Sequence, residues 1–292
     1  MRVFAGFILC GLILPGCNNE FNPNGPYKQK LVVYGVFSSR TDTQYVRVYT
    51  TYPSPGLSAE AGVTDVRVTV AQDANTTEFR DTTIQIVNSS GVQVPLRLFV
   101  AYAFRPAPGV NYDLSVVSPT LGNVRSSAFG LYKGRMFTLS NPQGDIIVQV
   151  TPGVNVRAFI VRMYLVFSAR VGSTWEIKRV EVPNLVTESG EFLYPKPVQS
   201  GLTTAGFAFQ AYAALVTSLR SQYPAGVQPS RIVFVLTEFD EPLYAYYSTA
   251  NGFPDSGTLR LDEPDYTNIQ GGLGVFGMTS ETVVEADTTG HP

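Results

Sequence analysis

Three acids lie within four residues at Glu238, Asp240 and Glu241. Two carboxylates at a suitable separation can act as general acid and base, and a larger set can bind calcium. Neighbouring positions at a strand end point in different directions, however, and helix starts attract acids through the backbone dipole. The expected role here is structural. A carboxylate-based hydrolase acting on glycans through Glu238 and Asp240 is the alternative. Asp262, Glu263 and Asp265, around Pro264, form a second acidic group in a segment that reads as a solvated loop. It lacks the alternation and glycine of a calcium loop. Gly272-Leu273-Gly274-Val275-Phe276-Gly277 matches G-x-G-x-x-G. A dinucleotide fingerprint needs a strand before it and a helix opening from it. A strand-like Val-Phe pair sits inside this match, so its glycines are expected to permit a bulge or close packing of a last strand.

The other reactive side chains are few. The cysteines are Cys10 and Cys17, and the one histidine is His291. Ser-His-Asp and Cys-His triads, histidine-ligated zinc and thiolate metal sites are therefore excluded from the body of the chain. No cofactor or metal is expected. A net charge of −2 with singly scattered basic residues gives no nucleic-acid stripe. Aromatic residues are abundant, with 16 Tyr, 18 Phe and one Trp. Tyr244, Tyr246 and Tyr247, with Tyr266 and Trp175, could form a platform for sugar rings or a peptide, because aromatics offer rigid contact area. The alternative is that they fill a β core and its edges. Tyr52, in a Pro-rich turn, is a further loop candidate for ligand binding. Asp81-Thr82-Thr83 and Asp287-Thr288-Thr289 have the form of an O-glycosylation acceptor triplet.

The elements that must position these residues begin with an anchor. Val3 to Leu14 is almost wholly apolar, flanked by Arg2, and runs into Leu14-Pro15-Gly16-Cys17. About a dozen apolar residues are too few to cross a bilayer, which needs roughly 20. The pattern reads as a signal peptide over 1–16 with Cys17 as the lipidated first residue of the mature protein. Cys10 would leave too short an apolar run. Two or more acyl chains on Cys17 would give stable anchoring. The stretch 17–30 is polar, contains Pro23, Gly25 and Pro26, and reads as a flexible tether of up to about 45 Å.

Behind the tether, period-two alternation dominates. Leu31 to Ser38 is a continuous apolar run, as expected of a strand buried on both faces. Gln44 to Thr51, the Val66-Val68-Val70 stretch, Ile84 and Ile86, Val92 to Phe104, Tyr112 to Val116 and Val124 to Phe129 complete a set of short strands. Their spacing predicts an immunoglobulin-like β-sandwich over 31–130. A second β-rich domain is expected over 131–285, beginning at the Gly130–Gly134 seam. In it, Val156 to Arg170 is read as one arm of a long hairpin turning at Gly172-Ser173-Thr174. Phe207 to Tyr223 is a helix whose apolar face carries Phe209, Tyr212, Val216, Leu219 and Tyr223, stopped by Pro224 and Gly226. Asp240 is expected to cap a second, short helix. Val275–Met278 and Thr282–Glu285 are read as final strands and 286–292 as a frayed tail. The fold class is mainly β, with one or two short helices.

Several of these pieces, in this order, resemble one family. They are the lipobox, KLVVYGVFSS, QYVRVYTTY, FRPAPGVNYDLSVVSPTLGNVRSSAF and TNIQGGLGVFG. They look like the Bacteroidetes lipoproteins grouped as domain-of-unknown-function family 4249. That resemblance implies an outer-membrane lipoprotein, facing either the periplasm or the cell surface, with a non-catalytic ligand- or partner-binding role beside a TonB-dependent transporter. A surface adhesion or structural lipoprotein is a further alternative. The family supplies no catalytic residues.

Overall fold

The computed structural model describes residues 28–51, 63, 65–87, 91–140, 144–201, 203–249 and 266–287. Cys17, Tyr52 and the Asp262-Glu263-Asp265 group lie outside the described residues. The first seven strands are β1 (Leu31–Ser38), β2 (Gln44–Thr50), β3 (Arg67–Gln72), β4 (Asn75–Val87), β5 (Gln93–Ala101), β6 (Asn111–Ser118) and β7 (Gly122–Phe129). They alternate as the sequence predicts and pack as two facing layers. β4 belongs to both layers: Asn75 to Phe79 pairs with β3, and Arg80 to Val87 pairs with β5. The core between the layers includes Val33 and Phe37 of β1, Val68 and Val70 of β3, and Leu114 and Val116 of β6. Phe37 is its centre, stacked on Phe79 at 5.6 Å and edge-on to Phe276 at 4.9 Å.

Tyr112, wholly buried at the start of β6, ties down the preceding turn. Its hydroxyl accepts the Ala107 N–H at 2.7 Å. This is the tyrosine corner of immunoglobulin-like sandwiches, in which the ring fills the core and the hydroxyl fixes the loop five residues upstream. Tyr112→Phe keeps the ring and strands that N–H. It should cost about 1 kcal/mol in urea unfolding.

The chain continues through β8 (Arg135–Ser140), β9 (Ile146–Thr151), β10 (Ala158–Val171), β11 (Thr174–Val182), β12 (Leu185–Val186), β13 (Phe192–Leu193), β14 (Val198–Gln199) and β15 (Thr204–Phe207). Then come α1 (Phe209–Gln222), β16 (Val227–Phe239), α2 (Glu241–Thr249) and β17 (Leu273–Asp287). β10 and β11 form the long hairpin expected from the sequence, with Val171 facing Thr174 across a two-residue turn. Gly172 in that turn has φ +60°, a conformation that glycine adopts without strain. One face of β10 and β16 is covered by the three-stranded sheet β15-β9-β8 and by α1.

α1 is the helix read from the sequence, but its buried stripe is Ala211, Leu215, Val216 and Leu219. Phe209 is 47% exposed. It stands off the i, i+4, i+8 row that Ala211, Leu215 and Leu219 define, and small Ala211 rather than a large residue lets the helix close on the sheet. No side chain of its own caps the helix; Asp145 Oδ1 accepts the Phe209 N–H at 2.9 Å.

β17 is one strand where two are read from the sequence, and it includes Ala286 and Asp287 of the expected tail. Its first half lies parallel to β1, from Val32 beside Leu273 to Ser38 beside Thr279. Its second half lies antiparallel to β16, from Phe239 beside Thr279 to Arg231 beside Asp287. The last strand of the expected 131–285 unit thus completes the sandwich as well, and a single cut near Gly130 does not separate the two bodies. Continuous pairing runs β11-β10-β16-β17-β1-β2-β5-β4-β3-β6-β7.

Candidate functional site

The point where β17 leaves β1 and joins β16 is where the acids of the sequence converge. Glu238 is 0% exposed and Asp240 is 5% exposed. Glu238 Oε1 accepts the Gly153 N–H at 2.7 Å. Its Oε2 accepts the Gly134 N–H at 2.7 Å and the Ser280 hydroxyl at 2.6 Å. One side chain therefore holds the connection between the bodies, the β9–β10 turn and the last strand. Glycine at 134 and 153 follows from close packing here: a Cβ on Gly134 would overlap Glu238 Oε1, and one on Gly153 would overlap the Tyr132 carbonyl oxygen.

Asp240 is the N-cap of α2 that the sequence predicts, with Oδ1 accepting the Leu243 N–H at 3.0 Å. The structure adds a second task, because Oδ2 accepts the Met278 N–H at 2.7 Å. The Asp240 N–H donates in turn to the Met278 carbonyl at 3.2 Å. Asp240 so pairs with the edge of β17 one step before β16 takes over. Asn268 does the same further up, its amide bonded to the Phe276 N–H at 2.9 Å and the Phe276 carbonyl at 2.7 Å. Side chains satisfy that edge where no strand reaches it.

Burial pushes the Asp240 carboxyl up to about 7, against the opposing pull of the Leu243 and Met278 N–H groups. A folded chain that holds a proton which the unfolded chain has released loses stability as pH rises. This contribution is complete below about pH 4, falls between about pH 4 and 7, and is level above. The thermal midpoint should decline across that window, and Asp240→Asn should flatten the decline when midpoints are compared by pH.

Glu241 is exposed and pairs with Arg157 at 2.9 Å. The three acids point three ways, and Glu238 and Asp240 turn away from solvent. Among the described residues no group of three or more His, Cys, Asp or Glu is placed to hold a metal ion.

The aromatic candidates separate. Tyr246 and Tyr247, each 3% exposed, stand with Leu243 on the inner face of α2 and pack with Phe239, Ile160 and Val275. The Tyr246 and Tyr247 rings meet at 5.4 Å, and Tyr247 shares a hydroxyl–hydroxyl bond of 2.5 Å with Tyr34 of β1. Tyr266 packs half-buried on this cluster, where desolvation raises its hydroxyl above the usual tyrosine value. These rings glue α2 to the even-numbered face of β1 and form no open platform. The physical reason is the helical phase: with Asp240 as cap, Leu243, Tyr246 and Tyr247 fall on one side, at spacings of three and four. Tyr244 falls on the other side, takes a hydrogen bond from Gln199 at 3.1 Å and has the Arg157 guanidinium 5.6 Å from its ring. Trp175 is 49% exposed on β11, away from α2. Tyr34, a tyrosine in an otherwise non-polar run, is the partner whose hydroxyl the sequence does signal. Ser280 and Gly153 carry no sequence signal.

The G-x-G-x-x-G match is β17 itself, with no helix opening from it. A Cβ on Gly277 would stand 2.5 Å from Leu243 Cγ, so glycine there seats α2 against the strand. Of the acceptor triplets, Asp81 lies in β4, bonded to both Arg97 Nε and a terminal Arg97 nitrogen, which lowers its carboxyl below the usual range. Thr288 and Thr289 lie outside the described residues.

Among the described residues no helix is long and apolar enough to cross a membrane. No curated protein matches this chain. One solved structure similar to it, described as "Cytokine receptor complex - Crystal form 1A", is 9% identical over 87% of this chain and 94% of that one. Its TM-score is 0.24, too low to carry an argument. The family described as "Domain of unknown function (DUF4249)" matches residues 18–284. That span takes in the sandwich, the acid-stapled junction and nearly all of β17, and the chain belongs to this family.

Proposed function

We propose that this protein is a lipid-anchored outer-membrane lipoprotein with a non-catalytic partner-binding role, accessory to a TonB-dependent transporter. The observation that carries the non-catalytic part is the inward commitment of Glu238 and Asp240 to backbone donors and Ser280. A general acid or base must reach its substrate, and these two reach only the chain. The anchoring part is supported by Leu14-Pro15-Gly16-Cys17 and by the polar stretch before β1. A β body on such a tether can stand beside a barrel while both remain in one membrane.

The test is purification of the full chain from its own membranes in mild detergent through a C-terminal tag. A β-barrel transporter should be recovered in stoichiometric amount. Cys17→Ser should abolish palmitate labelling and release the protein from the membrane fraction. A monodisperse acylated monomer would overturn the transporter part, and turnover of any substrate in a glycan panel would overturn the non-catalytic part.

A further inference from the structure

A cleft of about 480 Å³ opens between β15 and the ribbon formed by β12 and β13. Its floor is apolar, with Phe159 and Phe207 buried, and its rim carries Leu185 and Tyr194 at 50% and 45% exposure. This size and lining suit a bound group. The polar groups along the cleft say which kind.

β15 pairs with β9 on one side only. The Thr203 carbonyl accepts the Val150 N–H of β9 at 2.7 Å, while the Ala208 N–H donates outward to the Asn184 carbonyl at 2.9 Å. Backbone groups alternate along an antiparallel strand, so Thr204 and Gly206 turn their N–H and C=O outward, as Ala208 does. Neither makes a backbone hydrogen bond there among the described residues; the bond between the two walls is the one from Ala208 to Asn184. Both residues are exposed, and a Cβ on Gly206 would touch nothing within 4 Å. At the point where the two walls meet, Asn184 Oδ1 is buried without a hydrogen-bond partner. A small apolar molecule would fill the floor and leave the backbone row unanswered. An extended polypeptide answers both.

We propose that the outer edge of β15 accepts an extended segment of a partner polypeptide as an added strand. Its backbone pairs with Thr204 and Gly206, and its alternate apolar side chains rest on Phe159, Phe207 and Tyr194. A strand's side chains alternate between faces, so the preferred segment has apolar residues at every second position. This inference rests neither on the lipid anchor nor on a transporter.

The test starts from a random nine-residue peptide library displayed on phage and panned against the full chain in detergent. Enriched sequences should carry apolar residues at alternate positions. The best peptide is then synthesised with a single N-methyl group moved along it. Methylation at every second position should weaken binding at least tenfold, and methylation at the positions between should leave it unchanged. Gly206→Pro removes an N–H that no ladder bond uses, and Tyr194→Ser removes a rim contact; each should weaken binding tenfold at an unchanged unfolding midpoint. Phe137→Ser, on β8 at the far edge of the same sheet, should have no effect. The methyl scan uses the unaltered protein, so it decides the matter even if Gly206→Pro fails to fold. Binding indifferent to N-methylation would mean a pocket for an apolar molecule and would overturn the proposal. So would equal binding to Tyr194→Ser, or a library that yields nothing above its background on the doubly substituted Gly206→Pro, Tyr194→Ser chain.

Discussion

Glu238→Gln is expected to lower the unfolding free energy by about 3 kcal/mol, measured in urea. The side chain receives three hydrogen bonds, from Gly134, Gly153 and Ser280, in a site with no exposure. An amide of the same shape keeps one acceptor oxygen and turns an NH2 group toward N–H or O–H donors. At least one buried backbone N–H is then left facing another donor, at the full desolvation penalty. Ser280→Ala, which removes a single donor from the same oxygen, should cost only about 1 kcal/mol. The ratio between the two separates a strut from a catalyst. A catalytic Glu238 would lose turnover on conversion to Gln with little change in stability. A Glu238→Gln cost below about 1 kcal/mol would remove the structural role assigned to it.

Gly274→Ala is expected to be at least as damaging, with a loss of about 4 kcal/mol or more. Gly274 has φ +109°, and a Cβ there would overlap the Val33 carbonyl oxygen across the parallel ladder with β1. The collision is with backbone, so no rotamer relieves it, and β1 and β17 must separate. Because β17 joins the sandwich to the second body, parting it from β1 should expose both to protease together. Gly122→Ala provides the comparison. Gly122 has φ +84° but nothing within 4 Å of an added Cβ, so its cost is the backbone conformation alone, about 1 kcal/mol. Equal losses at the two positions would show that the close approach at Gly274 contributes nothing.

How much of the fold is legible along the chain depends on the range of each interaction. Period-two alternation places Val68, Val70, Leu114 and Val116 on core faces because a strand has only two faces and water selects between them. The turn at Gly172 and the cap at Asp240 were legible for the same reason: their chemistry is complete within a few residues. The unbroken apolar run of β1 announced burial on both faces. What covered them was not local: a second layer on one face, and Tyr246 and Tyr247 of α2 on the other.

The sequence by itself determined the strands of the sandwich, the long hairpin, the two helices, the mainly β class and the absence of histidine and cysteine chemistry from the body. It also carried the short motifs of the family. Only the tertiary structure decided that Glu238 braces three distant backbone segments, that Tyr246 and Tyr247 are core, and that one C-terminal strand serves two bodies. Those outcomes depend on partners as far apart as Gly134 and Ser280, or Tyr34 and Tyr247. A carboxylate, a ring or a glycine looks the same along the chain whether it faces water, a substrate or a backbone N–H. Its surroundings assign the task, and folding supplies them.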